Sequence, residues 1–357
     1  DNDYSYNEYY NNELDLGYAN PEADNALISN QIEDMNKKIE KSLEKDLKDL
    51  KEETYSFVFS SKQSVMVCDL VNSEIKIRVS FGTPTIEGTC MTCFASISNS
   101  VFASGSDSGS LFFFDTEKMS YKKLQPTSHS MKVIGLVKVK ENLLSLSTDK
   151  TMRLWDIEDT TYSIDCLSLS KKPVCFTTNK YNIYVGCDNG HLLCYEVSDS
   201  SLKLIKNILC AIEHNFYSLL YHINQLIASD ITGNILILNE SDLWIKHCWK
   251  KQANIIVLKD EKEKNDKGFF SINEKGIVKE FNFGFNFSDR EVYDGGFKNN
   301  YDCNSSDKKG GLISLGSAYL AYIKDSDIEI INVFLGKLLT KAHFNESILN
   351  IERLDSK

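Results

Sequence analysis

Proline is scarce, with four in 357 residues, and glycine stands at 18. That excludes a collagen-like chain and a Pro-rich disordered one. No run of about 18 apolar residues occurs, so no membrane insertion is expected. Basic charge is also short: 40 Lys and Arg face 51 Asp and Glu, a net charge of −11. The deficit is concentrated. Residues 1–53 hold fifteen acids and six lysines, or −9, which leaves −2 for the remaining 304 residues. A near-neutral body with an acidic arm argues against nucleic acid and anionic membrane as partners, since both require clustered Lys and Arg. Gly-rich phosphate loops are missing too: Gly105-Ser-Asp-Ser-Gly109 reads as a hairpin, not a strand-to-helix turn. No spacing singles out a pair of catalytic carboxylates, and neither a cofactor nor a small-molecule substrate is expected.

Ten cysteines are present, at positions 68, 90, 93, 166, 175, 187, 194, 210, 248 and 303. Most lie in apolar β-like runs, where a free thiol behaves as a small hydrophobe. No secretory signal pattern opens the chain, so the expected setting is intracellular and reducing, cytoplasmic or nuclear. Cys90-Met-Thr-Cys93 lacks the second pair that a structural zinc site needs. Cys187, His191 and Cys194 share a hairpin, but three residues along a strand turn His191 and Cys194 to opposite faces. No metal is expected at either place.

What is there falls into three stretches. Residues 1–19 form an acidic, Tyr-rich tail with few aliphatics, too few to bury a core. Residues 20–53 read as an amphipathic helix. Asn20 caps it and Pro21 suits its first position. Ile28, Ile32, Met35, Ile39, Leu43, Leu47 and Leu50 fall within an arc of about 120°. Glu33–Lys37, Asp34–Lys38 and Glu44–Lys48 add favourable i,i+4 pairs on the wet faces. That stripe must be covered, by the neighbouring domain or by a coiled coil with another chain.

From residue 54 onward short apolar segments alternate with turn residues, and they repeat. Segments ending at Asp69, Asp115, Asp156, Glu196, Asn239, Asn282 and Asn332 align at spacings of 40 to 50 residues. Six positions before each end lie Gln63, Gly109, Lys150, Gly190, Gly233, Gly276 and Ser326. Four glycines in seven at one register suit tight hairpins with positive φ. The segment Leu143–Glu158, LLSLSTDKTMRLWDIE, resembles a blade of the WD-repeat β-propeller family. The other copies are degenerate, with Cys, Phe, Tyr, Leu, Phe and Ile where this one has Trp155.

The resemblance implies an all-β, seven-bladed propeller over residues 54–357, the irregular last two units leaving six or eight as neighbouring counts. Ring closure follows from the two ends. Glu346–Arg353 reads as a lone inner strand, and Thr54–Ser60, Ser64–Asp69 and Glu74–Phe81 supply three strands that lack one. Together they make a four-stranded blade and remove the exposed edges of a linear array. Two insertions, Lys259–Lys267 and Gly295–Gly311, read as loops.

His129, Ser147 and Asp149 near Trp155 invite a Ser-His-Asp hydrolase reading by composition. No nucleophile-elbow glycines surround Ser147. The family resemblance implies instead a structural network in which His129, Ser147, Asp149 and Trp155 tie one blade's loops together, with no catalytic residue. It also implies that hairpins between second and third strands, with the links between blades, line a partner-binding top face. Lys62, Asp107, Ser108, Lys150, Asn189, His191, Asn234 and Lys275 would stand on the hairpins; Lys132, Lys172, His214, Phe216 and Asn254 would stand on the links. Glu158 replaces the Arg that follows Trp-Asp in one class of ubiquitin-ligase receptor, and no Phe-Arg-Arg-Gly phosphoinositide signature occurs. The sequence therefore points to a non-enzymatic scaffold for protein partners, bound through the top face and the N-terminal helix. A hydrolase using the central channel and an RNA-associated scaffold are the alternatives.

Overall fold

The structure, a computed structural model, describes residues 37–38, 54–82, 89–124, 128–158, 163–179, 181–210, 215–250, 255–260, 268–273, 276–283, 287–294, 311–316 and 318–354. The expected tail and helix therefore lie outside the described residues, except Lys37 and Lys38, which are helical. Both expected insertions fall largely outside them as well.

Residues 54–354 form seven four-stranded antiparallel sheets, the blades of a closed β-propeller. Blade one carries its inner strand, Ile348–Leu354, from the far end of the chain; Tyr55–Ser61, Ser64–Val71 and Glu74–Gly82 follow outward. The other six blades run inner to outer in chain order. Their inner strands are Met91–Ser96, Val133–Val139, Pro173–Thr178, Phe216–His222, Ile255–Asp260 and Leu312–Leu315.

Ring closure is a full ladder. Phe57 faces Arg353, Val58 faces Glu352 and Phe59 faces Ile351. Neighbouring blades are pinned beside it: Ser60 Oγ donates to Met91 O at 3.1 Å, and Asn350 Nδ2 donates to Thr92 O at 3.1 Å. The ladder occupies backbone groups that a linear array would leave as a sticky edge.

Burial falls from the second strand outward. In blade three every residue of Asn142–Ser147 is buried, while the outer strand Ser163–Ser168 alternates between half-buried and exposed. Apolar faces of adjacent blades meet to form the core. Between blades one and two lie Val58, Val67, Phe81, Phe94, Phe102 and Phe114; between three and four lie Leu144, Leu154, Ile183 and Leu193. At about 25 cal/mol per Å2 of apolar surface, these contacts dominate the stability of the ring.

Two recurrent sequence signals acquire physical causes. The repeat glycines sit in the hairpin before the third strand with positive φ, as Gly109 (87°) and Gly233 (85°) illustrate. At Gly109 a Cβ would come within 2.2 Å of His129 O, so glycine is required there twice over. The acid or amide that ends a third strand caps the next turn. Asp115 Oδ1 accepts from Glu117 N–H and Lys118 N–H, and Asn332 Oδ1 accepts from Phe334 N–H and Leu335 N–H.

Candidate functional site

The polar network of blade three starts from the third strand, Thr151–Asp156, whose Trp155 lies opposite Leu143 on the second strand. The indole crosses diagonally, and Trp155 Nε1–H donates to Ser145 Oγ at 2.9 Å. Ser145 Oγ lies 2.7 Å from His129 Nε2, and His129 Nδ1 lies 3.2 Å from Asp149 Oδ2 and 2.9 Å from Thr151 Oγ1. The proton positions follow. Asp149 can only accept, and Thr151 spends its own O–H on Asp149 Oδ1 at 2.6 Å. Nδ1 therefore carries the imidazole proton, and Ser145 donates to the bare Nε2. Asp149 also accepts from Ser130 N–H at 3.0 Å and Thr151 N–H at 2.8 Å.

The hydroxyl at the centre is Ser145, not the expected Ser147. Both serines lie on one face of the strand, two residues apart, and about 3.3 Å per residue separates them. Only Ser145 falls within the diagonal reach of the indole. Ser147 Oγ donates instead to Met131 O at 3.0 Å and accepts from Asp149 N–H at 3.1 Å, bracing the hairpin. His129, Asp149 and Trp155 all belong to this network.

Electrostatics suit a static role. Burial lowers the His129 pKa to about 4, against the opposing pull of Asp149, so the ring is neutral at pH 7. Burial pushes the Asp149 carboxyl up, but hydrogen bonds from Thr151 and Ser130 outweigh it and hold the group below its ordinary range. In order, Ser145, His129 and Asp149 reproduce the connectivity of a nucleophilic triad. Ser145 is wholly buried and His129 is 3% exposed. Trp155 already donates to the serine oxygen, so no substrate carbonyl can approach it.

The buried thiols offer little acid–base chemistry. Burial pushes the thiols of Cys68, Cys93 and Cys187 up to about 12 and those of Cys194 and Cys210 up to about 11. Among the described residues no group of three or more His, Cys, Asp or Glu could hold a metal.

The top-face candidates separate. Lys62, Asp107 and Lys150 are exposed, with Asp107 Oδ1 accepting from Cys90 N–H at 3.1 Å. His191 is half-buried, its Nδ1 3.3 Å from Asn207 Oδ1. Asn234 is half-buried and donates to Asp230 Oδ2 at 2.8 Å. His214, Asn254 and Lys275 lie outside the described residues. Phe216 is a correction: it is wholly buried between blades four and five with Tyr184, Leu192 and Cys194, so it is not a contact residue. A Cβ on Gly186 would sit 3.0 Å from its ring, which shows how closely blade four receives it. Met131, next to Lys132, is 53% exposed on this face and went unnoticed in the sequence.

The opposite face holds a second hub that no sequence motif marks. Glu240 Oε1 accepts from Asn179 Nδ2 at 2.6 Å and Tyr184 O–H at 3.1 Å, and Oε2 accepts from Tyr221 O–H at 2.9 Å. It ties blade four to blade five, with the Tyr184 and Tyr221 rings stacked at 6.0 Å.

No family model matches the chain, and no curated protein matches it in sequence. Solved structures do. The computationally designed Ika8 protein is 13% identical with a TM-score of 0.58, covering 82% of this chain and 85% of that one. The β-propeller domain of Myceliophteria thermophila Cps50 (Swd1) is 15% identical with a TM-score of 0.59, covering 72% and 86%. A chain of the mitotic checkpoint complex is 12% identical with a TM-score of 0.60, covering 74% and 80%. At such identities the likeness concerns the fold alone, and by fold this chain is a seven-bladed β-propeller.

Proposed function

We propose that this chain is a WD-repeat-type propeller that serves as a non-enzymatic scaffold in an intracellular multiprotein complex, in the cytoplasm or nucleus. One observation carries the reading: the groups best suited to catalysis, Ser145, His129 and Asp149, satisfy one another inside blade three, with Ser145 and His129 buried. Surface remains as the working part. A rigid ring presents pre-formed loops, which limits the entropic cost of binding a partner. One structural neighbour belongs to a named protein complex, the mitotic checkpoint complex, which supports protein partners in general.

The top face and the helix of residues 20–53 are the two docking elements of this reading. Affinity purification of the full chain, with and without residues 1–53, tests it by mass spectrometry. Stable partners are expected with the full chain, and a subset lost on removal of the arm. Recovery of none with either form would overturn the scaffold assignment.

A further inference from the structure

We infer that Lys132, Lys150, Lys171 and Lys172, on the top face of blades three and four, dock an acidic peptide segment of a protein partner. This rests on the scaffold reading and narrows it. Backbone hydrogen bonds gather the four lysines into one loop cluster. Thr148 N–H donates to Lys132 O at 2.9 Å, which ties the entry of blade three's inner strand to the hairpin carrying Lys150. Leu169 N–H donates to Lys150 O at 2.7 Å, so the link that runs on to Lys171 and Lys172 leaves from that same hairpin. Asp188 N–H donates to Lys172 O at 2.9 Å, which anchors the far end.

The charges in this cluster are not equivalent. Its two carboxylates are half-buried and engaged by backbone donors: Asp149 accepts within the blade-three network, and Asp188 Oδ1 accepts from Lys172 N–H at 3.2 Å. Among the described residues, Lys150, Lys171 and Lys172 form no ion pair, and Lys150 and Lys172 are exposed. The placement is local as well. The residue immediately before the inner strand is lysine only in blades three and four; the other five blades have Ser, Cys, Asn, Asn and Gly there. A positive spot thus stands on a body of net charge −2, and long ammonium side chains favour a flexible run of carboxylates. Met131, 53% exposed beside Lys132, adds an apolar contact for one side chain of such a segment. RNA fits less well, because the cluster presents no exposed aromatic ring among the described residues for a base to stack on.

The test uses the full chain and a fluorescein-labelled oligo-glutamate peptide with a central leucine, followed by fluorescence anisotropy. Saturable binding at about 50 mM salt is expected, weakening several-fold at about 300 mM as the charges are screened. Combined Lys150→Glu, Lys171→Glu and Lys172→Glu substitutions should weaken it by at least about tenfold. The corresponding Lys→Gln variant should show an intermediate loss and serves if the reversal disturbs folding. Lys337→Glu, on the outer strand of blade seven, should change nothing. Absence of peptide binding at low salt, or equal affinity in the Gln and Glu variants and the parent, would overturn the site. So would tighter binding of an RNA oligomer of equal charge, lost in the same variants. Cellular partners captured equally by parent and Glu variant would also overturn the site while leaving the scaffold reading intact. Capture of none by the parent would overturn the scaffold reading itself.

Discussion

Blade three and blades two and six solve one packing problem with different chemistry. All three place an aromatic third-strand residue opposite a large apolar one: Trp155 faces Leu143, Phe114 faces Phe102 and Phe281 faces Phe269. In blades two and six the rings lie flat on each other, at 4.9 Å and 6° and at 5.0 Å and 4°. The serine two residues on is kept, as Ser104 and Ser271. Without an indole N–H to receive, Ser104 Oγ turns to the inner strand and donates to Cys93 O at 3.0 Å. A ring stack is tolerant of pH and of small changes in shape. The chain from Trp155 through Ser145 and His129 to Asp149 requires every member, because any loss strands a buried polar group.

That contrast can be broken or sharpened by experiment, the largest effect first. Trp155→Ala removes the indole and leaves Ser145 without its donor, and should cost about 4 kcal/mol in chemical denaturation; a loss below that of Phe281→Ala would erase the distinction. Next comes acid. The pKa of His129 is near 4 in the fold, below its ordinary 6.5. The unfolded chain therefore takes up the proton first, and stability falls as pH drops from 6.5 to 4. For this residue the loss is about 3 kcal/mol. Asp149, whose pKa is lowered, adds a further loss at lower pH, as its carboxylate takes up a proton in the fold. His129→Gln should flatten that part of the curve, whereas Phe114→Leu should lower stability equally at all pH values in the window.

Asp149→Ala should cost about 2 kcal/mol, since Ser130 N–H, Thr151 N–H and the His129 Nδ1 proton lose their acceptor. Thermal melting by circular dichroism reads it, and an unchanged melting temperature would deny the structural role. Smallest is the contrast between two serines. Ser145→Ala should cost about 1.5 kcal/mol and Ser147→Ala about half that; the reverse order would return the central place to Ser147.

Much of the architecture was legible because it repeats. The acid or amide that ends the third strands of blades two and seven caps its own turn, so its signal survives where the Trp has drifted to Phe114 or Ile331. The complementary deficits of Thr54–Phe81 and Glu346–Arg353 foretold the composite blade, and the ladder of Phe57 with Arg353 realises it. Site details were less legible, for reasons of distance. Ser145 and Ser147 share a face and a residue type, and only the diagonal span to Trp155 selects between them. Phe216 looked like a link residue because it opens a strand; its burial is decided by Gly186 on another blade. The Glu240 hub joins two loops and two strands spread over some sixty residues, and nothing local marks it.

The composite blade also sets a timetable for biosynthesis. Tyr55–Ser61 leaves the ribosome first, and its partner Ile348–Leu354 is translated almost three hundred residues later. At roughly 5–20 residues per second, that edge waits on the order of 15–60 seconds for its mate. Throughout that interval the nascent chain bears an unmatched, apolar strand border, the kind of surface that chaperones shield and that neighbouring copies could capture.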